Sequence, residues 1–196
     1  MIHIRKNDVP VFMIDYIKKN PKADYDSDSF KPYYHTLRES LVKEQKGLCA
    51  YCCSQINIDN SHNEHIEPRH MRDGSKSNRS LDYYNIVASC NTTSTCGNHK
   101  GNEYDEKKFI SPLDEDCDNC FSYDPDGYMC GDEYTIGLLN LNSYELRMAR
   151  KAVYKTILCM SAENIRLCFC SDSEQYMPHS DVIFWFLKWL EETEKD

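Results

Sequence analysis

The sequence predicts an α+β fold in which a small strand–strand–helix core surrounds a structural metal and is itself surrounded by helices. Two pairs of cysteines, Cys49 with Cys52 and Cys90 with Cys96, mark the two ends of this core. Between the pairs lie short segments with the length and composition of strands. Outside them, apolar residues recur at the period of an α-helix. Together these patterns indicate a cysteine-pinned core inside a mainly helical shell.

The four cysteines suit a structural zinc site. Cys49-Ala-Tyr-Cys52 is a tight knuckle whose two thiolates can bind one side of a tetrahedral zinc ion. The second pair, Cys90 and Cys96, is more widely spaced than usual, so residues 92–95 are expected to bulge out. The alternative is that these are ordinary reduced thiols. A redox pair is disfavoured, because no βαβ pattern surrounds the CxxC.

Between the cysteine pairs lies a group of residues suited to a hard cation and to proton transfer. The segment His62-Asn-Glu-His65 follows a predicted turn and precedes Pro68, which favours a short extended strand. Alternation along that strand would place Glu64 and His65 on opposite faces. A carboxylate is a natural ligand for Mg²⁺. An imidazole titrates near neutral pH, as a general base for water should.

The residues after this strand complete the predicted core. The side chain of Asn85 is expected to form a hydrogen bond with the His65 imidazole and so to fix its tautomer. Residues 86–89 have the composition of a second short strand, and residues 97–108 are expected to form a helix.

This order of strand, strand and helix between cysteine knuckles resembles the ββα-metal core of HNH endonucleases. In that family an acidic residue and a His end the first strand, an Asn precedes the second strand, and a further His or Asn lies on the helix. The resemblance implies that Glu64 is a ligand of a catalytic Mg²⁺ or Mn²⁺ ion. It also implies that His65 activates water and that Asn85 orients His65.

One departure from the family pattern lies at the third motif position. The usual Cys-His dipeptide after the last knuckle is Cys96-Gly97 in this sequence. The third motif residue is therefore expected to be Asn98 or His99, with Asn98 slightly favoured.

Further motifs in residues 32–150 look like those of PtuB-type HNH nucleases from bacterial Septu and retron anti-phage systems. They are Leu48-Cys-Ala-Tyr-Cys52, Glu64-His-Ile-Glu-Pro-Arg69, Tyr84-Asn85, Cys96-Gly-Asn-His-Lys-Gly101, Ser111-Pro-Leu113, Phe121-Ser-Tyr123 and Leu139-Asn-Leu-Asn142. The resemblance implies a nucleic-acid substrate, with DNA favoured over RNA such as tRNA. It implies as partner a PtuA-like ATPase of the ABC/SMC type, and in a retron a reverse transcriptase with its DNA–RNA product.

The charge distribution bears on how the chain would bind nucleic acid. The net charge of −9 is unusual for a freestanding nucleic-acid binder. Basic residues nevertheless concentrate after the candidate base and on the next predicted helix. Those proposed to bind phosphate, called the basic lip below, are Arg69, Arg72, Lys76, Arg79 and Lys100. A solvated loop explains these charges equally well, and the overall acidity suggests that a partner supplies part of the affinity.

The rest of the chain divides into three predicted parts: a segment and linker (1–31), the core (32–110) and a mainly helical extension (111–196). Helices are predicted over residues 9–19, 34–45, 144–160, 162–170 and 180–190. Residues 121–123 and 134–136 alternate like two paired strands. Cys117, Cys120 and Cys130 form a further thiol group with no evident fourth ligand for zinc. The N-terminus has no signal-peptide pattern and no apolar run suits a membrane span, so we expect a cytoplasmic protein with reduced cysteines.

A rival interpretation is a zinc-knuckle adaptor that binds nucleic acid or protein and cleaves nothing. Gly97 and the negative net charge favour the adaptor, whereas Glu64, His65 and Asn85 together favour the enzyme. A zincin protease is disfavoured, because the sequence has no His-Glu-x-x-His motif.

Overall fold

Two strands, β1 (Ser61–His65) and β2 (Ile86–Cys90), form the antiparallel hairpin that carries the candidate site. The structure is a computed structural model that describes residues 1–169 and 174–193. Strand β2 is buried along its whole length, because helices α2 (Tyr34–Glu44) and α3 (Cys96–Lys100) both pack against it. Both predicted strands are confirmed, and the described residues form a mixed α+β fold.

Helix α2 leads the chain into the first cysteine knuckle. It buries Leu37 and Leu41 one turn apart and ends before Lys46 and Gly47, whose φ angles of 55° and 76° lie in the left-handed region. The buried Gln45 side chain then bonds the main chain of β2: its amide nitrogen donates to the Ala88 carbonyl (2.8 Å) and its oxygen accepts from the Ala88 amide (2.7 Å). Gln45 thus takes the place of a neighbouring strand.

The segment before α2 is packed rather than an open linker. Helix α1 (Val11–Lys19) agrees with the predicted helix. The predicted linker after it buries Tyr25 and Phe30, and a 3₁₀ turn (Lys31–Tyr33) leads into α2. Aromatic side chains between charged residues therefore anchor this segment, because they can bury large apolar areas.

Helix α3 is shorter than predicted. It ends at Lys100, because Gly101 adopts φ 56° and the chain continues in turns rather than as helix to residue 108. The short helix buries Cys96, Gly97 and Lys100 and exposes the residues between them.

In residues 111–169 and 174–193, the C-terminal part contains a second hairpin and four α-helices. Strands β3 (Phe121–Tyr123) and β4 (Met129–Gly131) pair across a tight turn. The predicted partner strand at 134–136 is wrong, since these residues lie in helix α4, where Asp132 caps the helix by accepting from the Thr135 amide. The remaining helices are α4 (Glu133–Leu138), α5 (Tyr144–Leu158), α6 (Ala162–Phe169) and α7 (Ser180–Thr193). Ser143 caps α5 as predicted, and the predicted helix end at Cys170 lies outside the described residues.

Helix α7 contributes one apolar face to the hydrophobic core of the C-terminal part. Its buried residues Val182, Ile183, Phe186 and Leu187 form one face, and the helix packs on β3, α5 and α6. None of the helices described is long and apolar enough to cross a membrane.

Candidate active site and metal centre

The four cysteines predicted to bind zinc meet in the core. Their sulfur atoms all lie within 4.8 Å of one another, with Cys49 3.8 Å from Cys96 and Cys52 4.0 Å from Cys90. Sulfurs bound about 2.3 Å from a tetrahedral zinc ion would be about 3.8 Å apart. All four residues are buried. The donor set, its geometry and its burial therefore fit a metal such as zinc.

Local backbone geometry brings these cysteines together. The Cys90 amide donates to the Cys49 sulfur (3.3 Å), a contact that stabilises a thiolate. Cys90 ends β2 and Cys96 begins α3, so the cluster joins the first knuckle, the hairpin and the helix. Residues 92–94 are exposed, as expected for a bulged second knuckle, but Thr95, which was expected to bulge with them, is buried.

The further thiol group does not assemble in the same way. Cys117 is buried and its sulfur contacts the Pro112 carbonyl at 3.9 Å, while Cys130 is exposed. Within residues 1–169 and 174–193, the four-cysteine cluster is the only group of three or more potential His, Cys, Asp or Glu ligands close enough to hold a metal.

His65, the candidate base, lies at the end of β1 and is 5% exposed. Its Nε2 atom is 2.9 Å from the carbonyl oxygen of Ser80. A carbonyl only accepts hydrogen bonds, so Nε2 carries the proton and Nδ1 of the neutral ring carries the lone pair. Nδ1 makes none of the hydrogen bonds found among the described residues. Burial lowers the pKa of His65 to about 4, so the ring is neutral at physiological pH.

Asn85 supports this arrangement indirectly. Its oxygen accepts from the Glu67 amide (2.8 Å), and its nitrogen donates to the carbonyls of Glu67 (3.0 Å) and Arg79 (3.3 Å). The expected direct bond from Asn85 to His65 is therefore not formed. Instead, Asn85 ties together the two ends of the loop between the strands, next to the Ser80 carbonyl that holds the imidazole.

Glu64 lies on the other face of β1. One carboxylate oxygen, Oε1, is 3.0 Å from the Lys100 ammonium, and the other, Oε2, is 3.4 Å from Nε2 of His62. Burial raises the pKa of Glu64, but its hydrogen bond with His62 and the charge of Lys100 outweigh burial and lower the pKa below its ordinary value. Glu64 is therefore a carboxylate in neutral solution.

The presence of Gly97 at the position where the family usually has a His has a steric explanation. A Cβ atom on Gly97 would lie 2.5 Å from Cδ of Glu64, so a larger residue would require the carboxylate to move away from Lys100 or His62. Asn98 and His99 are exposed and have other partners: Asn98 donates to the Thr92 carbonyl (3.3 Å), and Nδ1 of His99 is 2.9 Å from the Leu138 carbonyl. The structure thus does not bring either predicted third ligand to Glu64.

Lys100 does not lie where a phosphate-binding residue must lie. It is 2% exposed, and its ammonium group donates to the carbonyls of His65 (3.0 Å) and Ile66 (3.2 Å) while pairing with Glu64. The prediction that Lys100 binds nucleic acid overlooked the burial of one face of α3. Its position instead fixes the main chain at the end of β1.

The remaining residues of the basic lip are mostly paired within the chain. Lys76 is exposed, at the outer part of the loop. The arginines form ion pairs: Arg69 with Asp26, Arg72 with Glu103 (2.6 Å), and Arg79 with Asp82 (2.9 Å) and Glu67 (3.6 Å). Much of the positive charge is therefore already neutralised.

A segment that sequence reasoning treated as linker covers the candidate base. The Tyr25 and His65 rings are perpendicular (89°) with their centroids 4.6 Å apart, and Arg69 lies 5.0 Å from the centre of the Tyr25 ring. The next residue, Asp26, pairs with Arg69 and lies 3.6 Å from His70. We call Tyr25 and Asp26 the cover. No local sequence pattern signalled it, because the contact joins residues forty positions apart.

Comparison with known proteins is consistent with the HNH resemblance. No family model matches the chain. The chain is 29% identical over 170 residues to "Retron Vc95 putative HNH endonuclease" of Vibrio cholerae serotype O1 biovar El Tor, covering 77% of this chain and 81% of that protein. It is also 29% identical over 98 residues to "Retron Ec83 putative HNH endonuclease" of Escherichia coli, covering 46% of this chain and 37% of that one. These similarities support a relation to the HNH endonuclease family.

The cysteine cluster predicts a zinc-dependent core. Cys49→Ser should lose zinc and cooperative unfolding, because structural zinc contributes about 10–16 kcal/mol to the folding of small zinc domains. Cys53→Ala is the matched control, since Cys53 is a buried neighbour outside the cluster and its loss should leave zinc in place. Zinc content and thermal melts measure both. Normal zinc content in Cys49→Ser would contradict the assignment.

The buried neutral His65 predicts a loss of stability in mild acid. Its folded pKa of about 4 lies below the ordinary value of 6.5, so the unfolded chain binds the proton first and stability falls as the pH drops through this window. Between about pH 7.5 and about pH 5.5, His65 should contribute roughly 1 kcal/mol to that loss. Urea unfolding should therefore show a shallower pH dependence for His65→Gln than for the wild type, and the exposed His35→Gln should match the wild type. Equal slopes in all three proteins would exclude a buried neutral His65.

Proposed function

We propose that this chain is an HNH-type endonuclease that hydrolyses phosphodiester bonds of nucleic acid, with His65 as the general base. The observation that carries the proposal is the state of the His65 ring. Its Nε2 is bound to the Ser80 carbonyl, and the ring is neutral with its lone pair on Nδ1. An imidazole held in one tautomer by a main-chain carbonyl suits proton abstraction from water. The similarity to proteins named as HNH endonucleases supports the same reaction.

In the proposed mechanism, Nδ1 of His65 takes a proton from the water that attacks the scissile phosphorus. Asn85 keeps the loop closed so that the Ser80 carbonyl holds the ring in place. A bound Mg²⁺ or Mn²⁺ ion would supply charge neutralisation at the phosphate and at the leaving oxygen. Glu64 offers it a carboxylate, whereas Asn98 and His99, the other ligands implied by the family, face elsewhere. The four cysteines would hold zinc as a structural element with no part in the chemistry.

We further propose that the nuclease is an effector of a bacterial anti-phage system of the Septu or retron kind, acting in the cytoplasm. The word "retron" in the names of both relatives supports this context. DNA is the favoured substrate and RNA such as tRNA is the second. A PtuA-like ATPase of the ABC/SMC type would license cleavage, and a reverse transcriptase with its DNA–RNA product would be a further partner in a retron.

The position of the cover supports a mechanism in which a partner protein activates the nuclease. Tyr25 packs on His65, and the carboxylate of Asp26 occupies Arg69 where a phosphate would otherwise bind. A nucleic-acid strand that approached the imidazole from this side would have to displace Tyr25, and a phosphate that bound Arg69 would have to displace Asp26. Binding of a partner that moves residues 24–26 would expose the base and free part of the basic lip at the same time.

The adaptor interpretation keeps one supporting observation. Arg69, Arg72 and Arg79 are paired with carboxylates of the same chain, so this surface would bind nucleic acid weakly by itself. An adaptor would bind its target without any loss of substrate over time.

Replacement of the base tests the nuclease. His65→Ala should abolish cleavage by the purified complex while zinc content and folding stay normal, because the ring lies outside the cysteine cluster. The matched control is His35→Ala, which removes an exposed imidazole on α2 and should cleave normally. The assay uses plasmid DNA, single-stranded DNA and tRNA, each with and without Mg²⁺ or Mn²⁺. Wild-type rates in His65→Ala would refute the base assignment, and no cleavage of any substrate by the wild type would favour the adaptor.

The cover predicts that the isolated chain cleaves weakly or not at all and that a co-purified ATPase restores activity. Asp26→Asn should raise the activity of the isolated chain several-fold, because it releases Arg69 and His70. Asp28→Asn is the matched control, since the Asp28 side chain is 93% exposed and its ion pair is with Lys31. Initial cleavage rates of the three proteins measure the effect. Equal rates for Asp26→Asn and Asp28→Asn would show that the cover does not restrain the site.

A further inference from the structure

His62 and Glu64 are two neighbouring side chains of types that bind metals. The proposed mechanism gives Glu64 a role but gives His62 none. They lie two residues apart on β1 and so project from the same face of the strand. Nε2 of His62 is 3.4 Å from Oε2 of Glu64. The two side chains are 24% and 12% exposed, so the pair is sheltered but still reachable from solvent.

The imidazole of His62 is oriented by a neighbouring amide. Its Nδ1 is 3.0 Å from the side-chain oxygen of Asn91, and the Asn91 nitrogen lies 3.5 Å from the Asp59 carbonyl, which fixes which way the amide points. The amide oxygen only accepts, so Nδ1 carries a proton, and whenever the ring is neutral Nε2 turns its lone pair toward Glu64. Histidines that bind metals are typically held in this way through their other nitrogen.

A lone pair on Nε2 of His62 and the carboxylate of Glu64 repel each other unless a positive charge lies between the two groups. Lys100 cannot supply it, because its ammonium pairs with the other oxygen, Oε1, and with two carbonyl groups. Gly97 adds no side chain on this side, so the Oε2 edge of Glu64 and Nε2 of His62 are left facing each other. Either a bound cation or a proton on His62 completes the arrangement.

We propose that His62 and Glu64 together bind a divalent cation, with His62 supplying from the strand the ligand that helix α3 lacks at Gly97. The role of this ion in cleavage rests on the proposed nuclease function, but its binding does not. One imidazole and one carboxylate leave several coordination positions for water and phosphate oxygens. Because imidazole favours transition metals, Mn²⁺ should bind more tightly than Mg²⁺.

The competing arrangement is an ion pair between protonated His62 and Glu64. Burial lowers the pKa of His62, but the hydrogen bond and the charge of Glu64 outweigh burial and raise it. In that case the site would hold no metal, and neither side chain would affect metal binding.

The test measures Mn²⁺ binding to the zinc-loaded full chain in the absence of nucleic acid. Binding is monitored by the decrease in the EPR signal of free Mn²⁺. The wild type should bind, and His62→Ala and Glu64→Gln should each weaken binding by at least about tenfold. Pulsed EPR should detect the nitrogen of one imidazole bound to Mn²⁺ in the wild type and lose it in His62→Ala. Zinc content and thermal melts report folding, and Glu64→Gln keeps the shape of the side chain should His62→Ala fold poorly.

The matched control is the double variant Asn98→Ala/His99→Ala, which removes the two helix residues expected from the family pattern. It should bind Mn²⁺ as the wild type does. Loss of binding in this double variant, unchanged binding in His62→Ala, or absence of Mn²⁺ binding by the wild type would each overturn the proposal.

The same experiment separates this proposal from the proposed function. His65→Ala should bind Mn²⁺ normally and cleave nothing. If the wild type binds Mn²⁺ through His62 but its purified complex with the ATPase cleaves no substrate, the cation site stands and the nuclease assignment fails. If the wild type cleaves but does not bind Mn²⁺ through these residues, the nuclease stands and the cation site fails.

Discussion

The close packing of four cysteine sulfurs is the constraint on which the rest of the core depends. They come from three parts of the chain: the loop after α2, the end of β2 and the start of α3. Four buried thiolates within 4.8 Å of one another would repel strongly, whereas a bound zinc ion would remove this repulsion and contribute about 10–16 kcal/mol to folding. That is comparable to the whole stability of a typical domain, about 5–15 kcal/mol. The hairpin and helix are so short that their own packing would contribute far less.

Three buried polar side chains hold the main chain in place between the cysteine cluster and the candidate active site. A two-stranded sheet is marginal by itself, since each strand leaves one edge unpaired. Gln45 bonds the free edge of β2 at Ala88, Asn85 ties the interstrand loop, and Lys100 donates to the carbonyls at the end of β1. Each replaces main-chain partners that a larger sheet would supply. The position of the His65 ring therefore depends on residues that never touch it.

The parts that sequence could predict are those fixed by short-range pattern. The knuckle spacing, the two strands and the Ser143 cap follow from neighbouring residues, and the structure confirms them. Residues 134–136 were wrongly predicted as a strand, because three alternating residues equally fit one helical turn with an Asp cap. The burial of Lys100 and the contact of Tyr25 with His65 join distant segments. They depend on which faces pack together, and local spacing does not encode that.

Alternation along β1 has a consequence for the proposed chemistry. Glu64 faces α3 and Lys100, whereas His65 faces Tyr25 and the Ser80 carbonyl, because adjacent residues of a strand point to opposite sides. In the proposed mechanism, a phosphate that meets both a cation at Glu64 and the base at His65 would therefore lie beyond the end of β1, where the strand stops. On the His65 side, the Tyr25 ring packs on the imidazole, and Asp26 pairs with Arg69. In the proposed mechanism, access to the base and neutralisation of the phosphate would therefore depend on the same few residues, and a partner that displaced the cover would enable both.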